Sequence, residues 1–238
     1  MKLLITGGSG LLGSEIVKLD RSLIAPRHSE LDITKFDSIR AALEKYKPDT
    51  LLHLAAATKP SEHEKDPRVG LDVNIIGTAT VAKACHELGV KMVYTSSDYM
   101  YAGPGPHRED EAITAPSRFI WSKIGGESAV SLLHSFLILR LSFGPVPFPW
   151  DKVYEGQWNS KLYVDEMAPL VLKAALSDAE GIMNIGGPRT TLEAYARRTR
   201  PDIQTIPKPD WVPRDTSLDI SRMKRVFGIE DEAKILMR

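Results

Sequence analysis

Short apolar runs alternate along the chain with longer segments in which apolar residues recur every three or four positions. The short runs have the length and composition of strands and occupy residues 2–6, 22–25, 50–55, 92–96, 136–141 and 182–185. The longer segments have helical spacing and occupy residues 11–19, 39–46, 73–88, 121–133 and 168–176. Because the strands are apolar throughout rather than at alternate positions, we expect both faces of the sheet to be covered. The pattern therefore predicts an α/β fold with a doubly wound parallel sheet.

The composition of the sequence changes after Arg140. Residues 144–150 and 201–213 are rich in proline, which is typical of irregular chain rather than of buried strands. We expect these stretches to form a smaller lobe over the carboxyl edge of the sheet. The predicted division is a sheet domain at residues 1–145 and a lobe at 146–238, with a strand near 181–186 that returns to the sheet.

Composition and charge narrow the class of protein. The 238 residues contain 31 Lys and Arg and 31 Asp and Glu, so no net field attracts nucleic acid or an anionic membrane. The apolar runs are too short to span a bilayer, and Met1 leads directly into the first strand pattern without a secretion signal. The single cysteine, Cys85, rules out an internal disulfide and suits a reducing compartment. We therefore expect a cytoplasmic protein with a packed core.

A glycine-rich loop joins the first predicted strand to the first predicted helix. The strand ends at Thr6, and Gly7, Gly10 and Gly13 follow at the spacing that a tight turn, a close phosphate and a strand–helix contact require. N–H groups at the start of the helix then point at the phosphates, and the helix dipole adds favourable potential. The sequence therefore predicts that this loop binds a dinucleotide pyrophosphate. The loop residues Ser9, Leu11 and Leu12 are expected to bind it together with the glycines.

Cofactor preference depends on the end of the second predicted strand. An acidic residue there binds the ribose hydroxyls of NAD, whereas arginine accommodates the 2′-phosphate of NADP. This chain has Arg27 at that place, which favours NADP over NAD. A solvated loop arginine remains an alternative, and Glu30 or Asp32 is also placed to meet a ribose. We expect Asp32 and Ile33 to flank the adenine, with the carboxylate accepting from the exocyclic amine.

Several segments in order carry a resemblance to a known family. The phosphate loop reads TGGSGLLG at 6–13, and the fourth predicted strand delivers TSSDYMYAG at 95–103. The other similar segments are residues 30–34, 54–58, 73–78, 139–141, 163–168 and 214–219. Together they resemble the extended short-chain dehydrogenase/reductase superfamily, and most closely its dTDP-4-dehydrorhamnose reductase group of nucleotide-sugar reductases.

The resemblance implies a Rossmann-type fold and assigns site residues. It implies an NADP-binding domain at 1–145, a substrate-facing lobe at 146–238 and a nucleotide-sugar substrate. In the superfamily a tyrosine donates the proton, a lysine four residues later lowers the tyrosine pKa and binds the nicotinamide ribose, and a Ser or Thr hydroxyl holds the carbonyl oxygen. Lys123 and Ser97 match two of these positions. The small residues Ala55, Ala56 and Ala57 would lie along the cofactor, and the expected substrate contacts are Ser97, Asp98, Tyr99, Arg140 and Arg214.

The sequence departs from the family at the tyrosine, because the residue four positions before Lys123 is Phe119. Phenylalanine has the ring but no proton to give. Three interpretations remain: an engineered Tyr→Phe change, a catalyst that uses another acid such as Tyr99 or Tyr101, and a regulatory protein that binds NADP without turnover. A nucleotide-sugar epimerase also stays open, because epimerases use the same Ser, Tyr and Lys set. A homodimer is compatible with such a chain, and no metal is expected.

Dehydration of the sugar is disfavoured. Dehydratases of the superfamily resemble Thr-Asp-Glu after the fourth predicted strand, where this chain has Ser97, Asp98 and Tyr99 and so lacks the glutamate. The stretch between Arg140 and Tyr163 is also shorter than we expect for the reductase group. Because that stretch belongs to the sugar-nucleotide-binding part, the sequence leaves the identity of the sugar open.

Overall fold

The computed structural model describes residues 1–210 and 212–236. Its strands are β1 Leu3–Thr6, β2 Thr50–His53, β3 Lys91–Thr95, β4 Phe136–Leu141, β5 Phe143–Gly144, β6 Lys152–Tyr154, β7 Trp158–Asn159, β8 Leu162–Tyr163, β9 Gly181–Ile185, β10 Thr190–Thr191 and β11 Gln204–Ile206. Its α-helices are α1 Leu11–Leu19, α2 Phe36–Tyr46, α3 Pro60–Lys65, α4 Thr78–Leu88, α5 Arg118–Val130, α6 Val164–Ala175, α7 Leu192–Arg197 and α8 Ser221–Phe227. A π-helical segment, Gly70–Gly77, precedes α4, and a 3₁₀ turn spans Glu232–Ile235.

Five parallel strands form the central sheet in the order β1-β2-β3-β4-β9. Leu3 lies opposite Thr50, and each later pair continues in parallel register. On the far side of β1, Ile24 makes a single parallel bridge to Leu4, so the predicted strand at 22–25 is reduced to one bridge. The chain passes from β1 to this bridge on one side and then crosses to β2 on the other. This reversal creates a topological switch point between β1 and β2, where α/β proteins bind ligands.

Helices cover both faces of the sheet, which confirms the predicted doubly wound α/β class. Alternate residues of β1 point to opposite faces, so Leu3 and Ile5 join one core cluster and Leu4 joins the other. Helices α1 and α6 pack together over the first cluster, and α2, α4 and α5 pack over the second. The predicted helix at 73–88 divides into the π-helical segment and α4.

The remaining chain forms a lobe beyond the carboxyl ends of β3 and β4. Three two-stranded ladders pair β5 with β8, β6 with β11 and β7 with β10. A separate apolar cluster lies in this lobe and contains Phe148, Val153, Tyr163, Tyr195, Ala196 and Ile203. From the same part of the sequence, α6 and β9 return to the central sheet. In residues 1–210 and 212–236, no helix has the length and apolarity that crossing a membrane requires.

Candidate functional site

The glycine-rich loop lies at the switch point, between β1 and α1. Gly7 has a φ of 73°, which favours glycine, and a Cβ on it would lie 2.6 Å from the backbone nitrogen of Ala55. The loop therefore packs directly against the backbone that follows β2. This contact brings two segments that the sequence assigned to the cofactor, the loop and residues 55–57, to the same point of the sheet edge.

Gly10 and Gly13 have different roles in the loop. A Cβ on Gly13 would lie 2.2 Å from the Gly7 carbonyl oxygen, so the protein's own backbone excludes a side chain there. In the described part of the chain, a Cβ on exposed Gly10 would closely approach only that oxygen, at 3.2 Å. Gly10 caps α1 without a side-chain hydrogen bond, and the first turn carries no acidic residue. The amides of Leu11 and Leu12 can therefore bind an anion such as a pyrophosphate.

Asn74 fixes the segment that faces the loop. Its Oδ1 accepts a hydrogen bond from Ala57 N (2.8 Å), and its Nδ2 donates to Ala57 O (3.0 Å) and to Ser122 Oγ (2.8 Å). The asparagine is 1% exposed, so these bonds form away from water. Asn74 thus ties the backbone after β2 to α5, the helix that carries Phe119 and Lys123.

The expected adenine side of the site lies on the surface. The Arg27 side chain is exposed and makes no hydrogen bond or ion pair with the residues that the structure describes. The Asp32 carboxylate accepts hydrogen bonds from the Thr34 hydroxyl (2.7 Å) and amide (3.0 Å), which lower its pKa to about 2. Ile33 is buried beneath Gly77. Arg27 is therefore free to bind a ligand, whereas Asp32 already serves a local turn.

Lys123 is buried beside β3. Its Nζ lies 4.3 Å from the centre of the Tyr94 ring, a cation–π contact, and only 5% of the residue is exposed. Burial lowers the pKa of the ammonium to about 7, and Glu127 acts in the opposite direction. Burial and the Lys123 charge in turn lower the pKa of His53 to about 3, so the imidazole beside it is neutral. The lysine therefore lies near the carboxyl ends of β2 and β3.

Phe119 lies one helical turn before Lys123 on α5. Its ring makes an edge-on contact with the imidazole of His63, with 5.3 Å between the ring centres. His63 is fully buried, and its Nε2 lies 3.0 Å from Ala57 O. Nothing in the sequence points to His63, because the polar segment around it carries no pattern that predicts burial. The Phe119 side chain itself has no polar atom.

Three predicted site residues follow β3 directly. Ser97 Oγ accepts a hydrogen bond from Tyr99 N at 3.2 Å. Asp98 is only 2% exposed, and burial raises the pKa of its carboxyl to about 7. Tyr99 Oη accepts a hydrogen bond from Gln157 Nε2 at 3.0 Å, and burial raises the pKa of its hydroxyl to about 12.

A cavity of about 540 Å³ opens beside these residues, between β3 and the lobe. Its polar wall contains Asp98, Tyr99, Gln157, Asn159 and Lys161. Its apolar wall contains Phe148, Trp150, Val153 and Tyr154. Asn159 is 4% exposed, and its Nδ2 has no hydrogen-bond partner within the described part of the chain. Because buried polar groups are normally paired, this amide is suited to a ligand in the cavity.

Arg140 and Arg214, which the resemblance names as substrate contacts, do not line this cavity. The Arg140 guanidinium is buried and donates hydrogen bonds to Glu127 Oε2 (2.8 Å), Tyr101 Oη (2.9 Å) and Glu109 O (3.2 Å). Since both Arg140 and Glu127 are buried, the pair stabilises the junction of α5 and β4 rather than facing a ligand. Arg214 is exposed and lines a separate groove beside residues 101–104.

The chain is similar to known proteins both in sequence and in structure. Residues 1–144 match the family model described as RmlD substrate binding domain. The chain belongs to this family. In structure it is similar to dTDP-4-dehydrorhamnose reductase from Bacillus anthracis in complex with NADP, with a TM-score of 0.83 and 22% identity over 95% of this chain and 92% of that one.

Two curated relatives are similar to the first half of this RmlD-family chain. A dTDP-4-dehydrorhamnose reductase from Streptomyces griseus is 35% identical over 133 residues, 53% of this chain and 44% of that protein. Methionine adenosyltransferase 2 subunit beta from Xenopus tropicalis is 30% identical over 139 residues, 53% of this chain and 42% of that protein. The matched part thus spans less than half the length of these relatives.

The family match and the cavity cover different residues. The glycine loop, Ser97, Phe119 and Lys123 all lie within the RmlD match at 1–144. Gln157, Asn159 and Lys161, which the sequence analysis did not identify, lie beyond it. Their segment contains no recognisable motif. These residues reach the site because the lobe returns towards Asp98.

Proposed function

We propose that this protein is an NADP-dependent oxidoreductase that reduces a keto group of a nucleotide-linked sugar, with Phe119 in place of the usual tyrosine. One observation carries the proposal: the cavity lined by Asp98 and Tyr99, the two residues after Ser97, opens at the same sheet edge as the glycine-rich loop. The reductase and the NADP complex named among its relatives support this assignment.

The residues present fit a nicotinamide dinucleotide. The amides at the start of α1 face open space at Gly10, and the backbone of residues 55–57 closes the other side of the cradle. In this proposal Arg27 binds the 2′-phosphate, and Asp32 and Ile33 flank the adenine. The Lys123 ammonium has no hydrogen-bond partner in the described residues and can bind the nicotinamide ribose. When bound, the cofactor supplies a hydride to the carbonyl carbon.

The cavity fits a sugar nucleotide in size and in the distribution of its polar groups. Ser97 would hold the carbonyl oxygen, and the amides of Gln157 and Asn159 would bind sugar hydroxyls. The rings of Trp150 and Tyr154 offer flat apolar surfaces opposite the polar wall. A cavity of about 540 Å³ lies within the usual range for small-ligand sites.

A second candidate is an NADP-binding module that regulates a partner without turnover. Two observations favour it: Phe119 has no proton to donate, and methionine adenosyltransferase 2 subunit beta is among the relatives. The two candidates share the cofactor site and differ only in whether a keto sugar is reduced.

The direct test uses dTDP-4-dehydrorhamnose and NADPH with the protein as it stands. We expect loss of NADPH absorbance at 340 nm in proportion to the reduced sugar formed. Calorimetry of NADPH alone is measured alongside. Binding without oxidation, across a panel of nucleotide-linked keto sugars, would favour the regulatory module, and absence of binding would contradict both candidates.

Arg27→Ala is expected to remove the preference for NADPH over NADH. A charge-assisted hydrogen bond to phosphate contributes about 1.5–3 kcal/mol, which corresponds to roughly a tenfold to hundredfold difference in affinity. Calorimetry with both cofactors measures this difference. Arg21→Ala, another exposed arginine, serves as the matched control and should keep the preference. Equal affinities in the parent protein would show that Arg27 selects neither cofactor.

A further inference from the structure

We infer that Asp98 donates the proton that carbonyl reduction needs, in place of the hydroxyl that Phe119 lacks, and that Lys161 is the charged neighbour that keeps Asp98 ready to do so. The inference rests on the proposed reductase function. It starts from the cavity, because Asp98 and Lys161 line the same polar wall and Asp98 directly follows Ser97, the residue proposed to hold the carbonyl oxygen.

Other candidate proton donors are less suitable. The Tyr101 hydroxyl donates to Asn184 Oδ1 at 2.9 Å and accepts from Arg140, and Tyr101 does not line the cavity. Tyr99 does line it, but burial raises the pKa of its hydroxyl to about 12. His63 touches the Phe119 ring, yet its Nε2 contacts Ala57 O and a Cβ on Gly70 would lie 2.8 Å from its Nδ1. Both nitrogens of that imidazole are therefore enclosed by the protein.

The surroundings of Asp98 suit a proton donor near neutral pH. Burial raises the pKa of its carboxyl to about 7, against the opposing effects of the Lys161 charge and the hydroxyls of Ser97 and Thr216. The neighbouring Tyr99 is neutral in this range, and Asp151, Lys152 and Tyr154 are the other titratable groups that the structure describes in the cavity lining. Lys161 is half-buried, and desolvation lowers its own pKa. A carboxyl that titrates near the working pH is both protonated often enough and acidic enough to serve as a general acid.

The step balances with a reduced nicotinamide dinucleotide as the reductant. A C–H bond forms at the carbonyl carbon as the hydride arrives, and the C=O π pair moves to oxygen. That pair takes the proton from the Asp98 carboxyl, whose O–H bond breaks. The products are a secondary alcohol, the oxidised dinucleotide and the Asp98 carboxylate. The Lys161 charge, on the same wall of the cavity, favours this new carboxylate, and solvent entering the cavity restores the proton.

The first experiment follows Asp98 without substrate or cofactor. Infrared difference spectra between pH 5 and pH 9, parent minus Asp98→Asn, isolate the C=O stretch of the protonated Asp98 carboxyl. We expect this band to disappear with a midpoint near pH 7 in the parent. Lys161→Met removes a charge that lowers the Asp98 pKa, so the midpoint should move to higher pH. Lys91→Met changes a partly buried lysine at the amino end of β3 and should leave it unchanged.

The second experiment measures kcat with dTDP-4-dehydrorhamnose and NADPH. Asp98→Asn should lower kcat by roughly 10²- to 10⁴-fold, the usual effect of losing a general acid, while calorimetry shows unchanged NADPH affinity. In the parent, kcat should fall as pH rises through the Asp98 pKa. Lys161→Met should move that fall to higher pH, which a purely structural role for Lys161 would not do.

Each outcome bears on the proposal. An Asp98 midpoint near pH 4 overturns it whether or not any sugar is reduced. A kcat of Asp98→Asn equal to that of the parent also overturns the proposal. The same holds if Tyr99→Phe or Lys161→Met loses turnover while Asp98→Asn keeps it. A midpoint near pH 7 together with absence of turnover by the parent overturns Asp98 as donor and contradicts the reductase function. Turnover with a midpoint near pH 4 keeps the reductase function and rejects only Asp98.

Discussion

Gly10→Val is expected to lower NADPH affinity by more than about a hundredfold, equivalent to about 2.7 kcal/mol, and to leave the fold intact. The backbone of Gly10 is extended, with φ −73° and ψ 174°, so valine fits its conformation without strain. Apart from Gly10's own neighbours in the chain and helix, the Gly7 carbonyl oxygen at 3.2 Å is the one atom among the described residues that lies near the added Cβ. The space that valine fills is therefore the space proposed for the pyrophosphate.

Gly13→Ala provides the contrast. Its Cβ would lie 2.2 Å from the Gly7 oxygen and 2.7 Å from the Gly8 Cα, so backbone must move. We expect a loss of about 3 kcal/mol or more in the free energy of unfolding, at the upper end of overpacking costs. Urea unfolding and NADPH calorimetry separate the two variants. NADPH binding by Gly10→Val at the parent's affinity would show that the phosphates lie elsewhere, and a parent-like stability of Gly13→Ala would show that the turn yields.

The parts of the molecule that the sequence predicts are those set by local pattern. Apolar runs located the five sheet strands, because a parallel strand buried on both faces is apolar throughout. The glycine-loop geometry followed from residue spacing, and helical spacing placed Phe119 and Lys123 one turn apart on α5. The edge segment at 22–25 makes only one bridge, and its half-exposed residues show why an apolar run alone overstated it.

Other features depend on contacts between distant parts of the chain. Arg140 sits in a strand whose sequence gives no sign of Glu127, thirteen residues earlier, as its buried partner. The charges of Lys161 and Asp98 interact only because the lobe folds back over β3. Nothing local distinguishes this lysine from a fully solvated one, so its position on the cavity wall could not be predicted from the sequence.

Phe119→Tyr is expected to restore reduction of dTDP-4-dehydrorhamnose in an Asp98→Asn background. The substitution places a hydroxyl at the position of the family's proton donor, four residues before Lys123, whose buried ammonium is suited to stabilise the tyrosinate formed when the proton leaves. Recovery of a general acid is worth roughly 10²- to 10⁴-fold in kcat, or about 3–5 kcal/mol of barrier. In the parent background the gain at pH 7 should be much smaller, because Asp98 already donates there.

Two further variants make this rescue specific to the proposed site. Phe136→Tyr adds the same hydroxyl at the start of β4, at the opposite edge of the sheet from the loop, and should restore nothing in the Asp98→Asn background. Lys123→Met added to the rescued protein should cancel the gain, because the tyrosinate then lacks its buried cation. A hundredfold or larger gain from Phe119→Tyr in the parent at pH 7 would instead show that the parent lacks a working acid. Absence of turnover in every variant despite tight NADPH binding would favour the regulatory module. In that case the protein has no proton donor, rather than a donor at Asp98.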